Sequence, residues 1–210
     1  MQEDLWALQY LISRRLPWLQ SKIEFRRIKL SGKEADRFEL SMHNNMLFIS
    51  GSSIPAMGMG LNHYLKYYCH RSASHCGNNL APVQDLPQVN ETIEITTPFI
   101  YRYALNYCTF NYSMSFWKWE QWEKELDWMV LNGVNLMLLV TGTKAVWKEV
   151  LTQLNYNRKE INEFLPGPVY NAWWLMGNLE GWGGNTSDTF IDQQIALTRK
   201  ILKRMHALEI

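Results

Sequence analysis

From Pro98 onward the chain alternates strand-like and helix-like segments, and this alternation constrains the fold more than any other feature. Ile100 to Cys108 reads as a strand. Trp117 to Asn132 reads as a helix with Trp119, Trp122, Leu126 and Met129 on one face and a Glu120–Lys124 i,i+4 pair on another; Gly133 is placed for its C-cap. Val134 to Val140 is almost wholly apolar, as expected of a parallel strand buried on both faces. A second helix is expected from Thr143 to about Leu154, and a last one from Ser187, as N-cap, to about Leu208. That last helix carries Asp188 and Asp192 early and Lys200, Lys203, Arg204 and His206 late, which complements the helix dipole. Two such units belong to a doubly wound sheet or a (β/α)8 barrel. A whole barrel takes about 250 residues, and little more than half of this 210-residue chain follows Pro98. The expectation is therefore an incomplete (β/α)8 TIM barrel over residues 98–210, and a chain that looks like a fragment.

The preceding residues, 1–97, have a different texture and are expected to form a small N-terminal α+β domain. Leu5, Leu8, Ile12 and Leu16 recur at helical spacing and Pro17 stops that helix. Ile23 to Leu30, Arg37 to His43 and Met46 to Ser50 read as short strands, separated by Ser31-Gly32-Lys33 and by the turn pair Asn44-Asn45. A further helix is expected from about Ala56, through Leu61, Tyr64, Leu65 and Tyr68. Gly77 to Pro98 is rich in Pro and Asn and reads as a linker.

Composition narrows the function classes. The chain is 47% apolar and 20% charged, with a net charge of +1 and no basic run. That leaves nucleic acid and membrane surfaces as unexpected partners and favours an enzyme or a binding domain. The most apolar run, Leu126 to Val140, is broken by Asn132, Gly133 and Asn135 and is too short to span a bilayer. Cys69, Cys76 and Cys108 make no disulfide framework. Cys69-His70 with His75-Cys76 matches no standard zinc spacing, so no metal and no cofactor is expected.

The candidate site lies in Pro168 to Gly184, a run holding three tryptophans and four glycines. Flat indoles on a turn-rich backbone suit the apolar C–H face of a sugar; the competing reading is a Trp-rich core corner. On the expected first strand, alternation places Asn106, Cys108 and Phe110 on one face, inward in a barrel. Asn106 has both donor and acceptor atoms for a sugar hydroxyl, or for a neighbouring loop backbone.

A longer series of motifs then resembles one family. Arg102-Tyr103, Asn106-Tyr107-Cys108-Thr109, Phe116-Trp117-Lys118-Trp119-Glu120, Leu131-Asn132-Gly133-Val134-Asn135-Leu136, Thr141-Gly142, Gly167-Pro168, Ala172-Trp173, Met176-Gly177-Asn178-Leu179 and Trp182-Gly183-Gly184 are similar, in order, to the α-N-acetylglucosaminidases, family 89 of the glycoside hydrolases. The resemblance runs from about Tyr64 to the end and more weakly before it. It implies a small N-terminal domain, a (β/α)8 catalytic barrel, and metal-free retaining exo-hydrolysis of terminal α-linked N-acetylglucosamine. It implies two catalytic glutamates on later strands, matching no position here, so that this chain carries no catalytic residue. The positions that it carries over are sugar contacts: Asn106, Cys108, Tyr112, Trp173 and Met176. The implied partner is a glycan ending in N-acetylglucosamine, and relatives of this kind are exported proteins; the chain itself shows no leader. A non-catalytic carbohydrate-binding protein on the same scaffold is the alternative. Asn90-Glu91-Thr92, Asn111-Tyr112-Ser113 and Asn185-Thr186-Ser187 match the glycosylation triplet.

Six residues, at four places, depart from the family pattern that the resemblance implies. Thr143-Lys144 stands where Gln-Glu is common, Trp174-Leu175 where Gly-Arg is usual, Glu180 where a His is usual, and Glu209 where a Gly normally precedes the third strand.

Overall fold

The computed structural model describes residues 5–30, 32–33 and 35–210. The acidic start Met1-Gln2-Glu3-Asp4, and Ser31 of the expected separator, lie outside the described residues. The chain forms two compact units, one comprising Met1–Tyr103, Glu125–Leu136 and Met205–Ile210, the other Ala104–Lys124 and Met137–Arg204.

The first unit contains α1 (Trp6–Arg15), β1 (Ile23–Arg27), β2 (Asp36–His43), β3 (Met46–Gly51), α2 (Ile54–Tyr67), β4 (Ser72–Ser74), β5 (Gly77–Asn79) and β6 (Ile93–Thr97). Its sheet has the order β1-β3-β2-β6, with β1 parallel to β3 and β2 antiparallel to both neighbours. Asn44 and Asn45 join β2 to β3 at φ 51° and 60°, the double left-handed geometry that Asn tolerates in two-residue hairpins. Alternation turns Phe38, Leu40, Met42, Leu47 and Ile49 to the buried face. The helix α2 packs on β2 and β3, burying Ile54, Met57, Leu61 and Leu65, each contributing about 1.5–3 kcal/mol relative to exposure. The hydroxyl of Ser53 starts the helix by accepting the Ala56 N–H at 3.0 Å. Gly58 lies against the backbone of Val130, where an added Cβ would stand 2.3 Å from the carbonyl oxygen; close backbone approach requires glycine there.

The stretch Gly77 to Pro98 is not the linker that its composition suggests. Within it β5 pairs with β4, and β6 joins the sheet edge through Ile95 opposite Phe38. Leu86 and Val89 are buried, and the Tyr64 hydroxyl donates to the Pro87 carbonyl at 2.8 Å. The alternation of Ile93 and Ile95 with Glu94 and Thr96 is a strand signal that the surrounding Pro and Asn residues mask.

Next come two short strands, β7 (Tyr103–Ala104) and β8 (Leu136–Met137). The second unit carries α3 (Tyr107–Thr109), a π-helical turn (Phe110–Met114), the first residues of α4 (Trp119–Leu131), then α5 (Thr143–Gln153), α6 (Arg158–Phe164), a 3-10 turn (Pro168–Tyr170), α7 (Asn171–Leu175) and most of α8 (Asp188–Leu208). Gly133, at φ 70°, ends α4 as expected, and Ser187 caps α8, its hydroxyl accepting the Phe190 N–H at 3.2 Å. The helix α6 was not anticipated, although Asn157 and Glu160 form a capping box at its start.

Both long strands expected in this half contract to two residues. Ladder pairing defines a strand, and these two segments pair only over that length. Beyond β7 the backbone turns through Leu105 at φ 71° and enters α3. The expected strand face holding Asn106, Cys108 and Phe110 therefore does not exist. Asn106 precedes a helical turn, Cys108 is exposed within it, and Phe110 is buried at the start of the π-helical turn.

Candidate functional site

The Trp-rich segment resolves into the 3-10 turn, α7 and a glycine-rich loop. Adjacent residues on a helix point about 100° apart, and Trp173 and Trp174 use that divergence. Trp174 is buried with Leu151, Ile161 and Leu165, and Trp147 and Phe164 meet it edge-on at 5.0 and 5.3 Å between centroids. Trp173 is only half-buried and meets Tyr112 edge-on, with centroids 6.0 Å apart and planes at 87°. The core-corner reading thus describes one tryptophan, while the other stands in an open aromatic corner.

The loop after α7 is tied down. Met176, half-buried, caps the helix; Asn178 donates its N–H to the Trp173 carbonyl at 3.1 Å. Gly167 donates its N–H to the Trp182 carbonyl at 2.6 Å, closing the segment on itself. Trp182 itself is exposed and leans on Tyr170, 6.3 Å between centroids.

Of the five site positions expected from sequence, Tyr112 and Trp173 are brought into contact. Met176 follows Trp173 on the same helix end. Asn106 caps α3: its Oδ1 accepts the Thr109 N–H at 2.9 Å and the Thr109 hydroxyl at 3.1 Å. Cys108 is an exposed free thiol.

Sequence reasoning missed the polar side chains beneath this corner. Asn111 is buried, and its Oδ1 accepts the Ala172 N–H at 3.2 Å. That burial removes Asn111 as a glycosylation acceptor in this fold. Asn171, also buried, donates through Nδ2 to the Thr143 hydroxyl at 3.0 Å, which in turn donates to the Val140 carbonyl at 2.8 Å. Lys144 is 7% exposed. Its Nζ donates to the Pro166 carbonyl and to the Thr186 hydroxyl, and burial lowers its ammonium pKa from 10.5 to about 8. Only an isolated Asn or Lys on a helix or loop was visible in the sequence, and neither spacing nor residue type marks such a position as buried.

Among the described residues, no group of three or more His, Cys, Asp or Glu is arranged to hold a metal ion, and no helix is long and apolar enough to cross a membrane. His75 is engaged elsewhere, its Nε2 lying 3.0 Å from the buried Glu125 carboxylate and its ring on Trp128.

Comparison with known proteins places this geometry. Residues 102–210 match the alpha-N-acetylglucosaminidase (NAGLU) tim-barrel domain and residues 6–88 the alpha-N-acetylglucosaminidase (NAGLU) N-terminal domain. Human alpha-N-acetylglucosaminidase is 38% identical over 159 residues, which is 76% of this chain and 21% of that protein. A family 89 glycoside hydrolase from Clostridium perfringens, in complex with 2-acetamido-1,2-dideoxynojirmycin, superposes with a TM-score of 0.93 at 36% identity, over 98% of this chain and 24% of that one. A variant of the Clostridium perfringens enzyme with two glutamates changed to glutamine, in complex with GlcNAc-α-1,4-galactose, also superposes with a TM-score of 0.93, at 37% identity, over 98% of this chain and 24% of that one. The fold and these matches first set the class, that of the family 89 glycoside hydrolases, with an incomplete TIM barrel in the second half of the chain. More narrowly, the chain belongs to the α-N-acetylglucosaminidase family. It spans about a fifth to a quarter of the length of the relatives that it matches.

Proposed function

We propose that this chain is part of an exo-acting retaining glycosidase that removes terminal α-linked N-acetylglucosamine, and that it contributes sugar-holding side chains but not the catalytic carboxylates. The domain division that accompanies this reading is 1–97 for the N-terminal domain and 98–210 for barrel. The observation that carries the reading is the Tyr112–Trp173 corner. An exposed phenol edge-on to a partly open indole offers a flat apolar wall beside a hydroxyl, which is what a pyranose face and rim require. Asn106 and Cys108 lie six and four residues before Tyr112 in the same segment; Asn106 keeps its amide NH2 for a sugar oxygen while its Oδ1 caps α3. Met176 supplies a polarizable edge beside Trp173.

Retaining hydrolysis needs a nucleophile and an acid/base about 5–5.5 Å apart. Several carboxylates of the second unit are committed to other work. Asp188 is held by Lys148 and Arg158, which lower its pKa. Glu160 closes a capping box and Glu163 lies near Lys159. The test is to titrate the 210-residue chain with N-acetylglucosamine while following tryptophan fluorescence, and to incubate it with an aryl α-N-acetylglucosaminide. The expected result is weak binding that Trp173→Ala abolishes, with no turnover. Turnover lost in Glu180→Gln would assign the acid to the Trp-rich loop; binding unaffected by Trp173→Ala would remove the sugar wall from this corner.

A further inference from the structure

The two chain segments that form the aromatic corner are joined twice, at consecutive residues. Tyr112 meets Trp173 through its ring, and the preceding residue, Asn111, accepts the N–H of Ala172, the residue before Trp173. Asn111 occupies the π-helical turn Phe110–Met114, a rare conformation that inserts an extra residue per turn and recurs at functional sites. The helix it reaches, α7, has five residues and no side-chain cap of its own. A helix that short does not hold itself together in water, so its orientation is set by outside contacts.

Three contacts do this. Trp174 anchors one side in the apolar cluster. Asn171 ties the first turn to Thr143. Asn111 satisfies the otherwise uncapped Ala172 N–H from the element that carries Tyr112. Asn111 also has a buried Nδ2 without a hydrogen-bond partner. An unmet buried donor is unfavourable and calls for a reason. An apolar residue would avoid that penalty but would leave the helix N–H unmet.

We infer that Asn111 is a positioning residue for the sugar-facing indole: its Oδ1–Ala172 hydrogen bond holds the backbone immediately before Trp173, with the packed Trp174 as the fixed point, and hence sets the stance of Trp173 against Tyr112. The role of that stance in sugar binding rests on the function proposed above, whereas the stance itself does not. Trp174, on the same short helix but held by apolar packing, is the internal control.

The experiment records the indole Nε1–H resonances of Trp173 and Trp174 in the 210-residue chain, each assigned by its Trp→Phe variant, and titrates with N-acetylglucosamine. Asn111→Ala is expected to move the Trp173 resonance and leave that of Trp174 in place, and to weaken N-acetylglucosamine binding about threefold to tenfold, the range of one hydrogen bond. Asn111→Asp, which keeps the acceptor oxygen, is expected to restore the Trp173 position. An unmoved Trp173 resonance in Asn111→Ala overturns the inference. So does a joint shift of both tryptophans that Asn111→Asp fails to reverse, because that marks a general packing role. If the wild-type chain binds no N-acetylglucosamine while the Trp173 resonance still follows residue 111, the sugar reading fails and the positioning role stands.

Discussion

Lys144 donates through Nζ to the hydroxyl of Thr186 at 2.7 Å, from a site where it is almost wholly removed from water. Its other acceptor, the Pro166 carbonyl, is also a neutral oxygen, and burial lowers the ammonium from 10.5 to about 8. Between those two values the unfolded chain holds a proton that the folded chain has released, so this residue makes stability rise with pH across that window and fall again as pH drops toward 8. Relative to Lys144→Met, the wild type is expected to gain about 1–3 kcal/mol on passing from about pH 7.5 to about pH 10.5. Urea unfolding of both proteins at the two pH values reads the difference directly. A wild-type-minus-variant difference that stays level with pH would show that burial does not perturb this amine.

Gly142 starts α5 in the left-handed region at φ 85°, and a Cβ there would lie 2.5 Å from Thr198 Oγ1. Gly142→Ala should destabilise the fold by about 2–4 kcal/mol, combining backbone strain with overpacking. Thr198→Ala in the same chain should recover only part of that loss, because the backbone strain remains. Full recovery in the double variant would assign the whole effect to the clash.

Glu209 is a non-glycine residue held in the left-handed region at φ 56°. Its carboxylate bonds Arg27 and accepts the Ile54 N–H at 2.8 Å, at the start of α2. Those bonds offset the left-handed strain. Glu209→Ala loses them and keeps the strain, whereas Glu209→Gly loses them and relieves it; the alanine variant should be the less stable of the two by about 1 kcal/mol. Thermal melts of the three proteins check the order, and equal melting of the Ala and Gly variants would contradict it.

Asp127 is fully buried on α4, with both carboxylate oxygens bonded by Arg14 at 2.7 and 3.0 Å and with Arg15 at 3.5 Å. Asp127→Ala leaves those guanidinium groups facing an apolar hole, at a cost of about 3–5 kcal/mol. Asp127→Asn keeps the shape and one acceptor and should cost less. A melt of Asp127→Ala within a degree of wild type would show the pair to be dispensable.

Local pattern determined much of this chain. The helical spacing of Leu8 and Ile12, the Asn44-Asn45 turn, Gly133 after α4 and Ser187 before α8 are read correctly because each depends on neighbours within a few residues. The ordered motifs around Asn106, Trp173 and Met176 identify the family for the same reason: they are written contiguously. Tertiary structure decided the rest. Strand length depends on partners, so the apolar run Val134 to Val140 yields two paired residues, while the Pro- and Asn-rich stretch yields β6 because β2 offers it an edge. The division of labour between Trp173 and Trp174, identical in residue type and adjacent in sequence, is set by which side of α7 meets Leu151, Ile161 and Leu165 and which meets Tyr112. Burial of Asn111, Asn171 and Lys144 is likewise a property of the packed surroundings, since a polar side chain becomes structural only when distant backbone and hydroxyl groups converge to satisfy it.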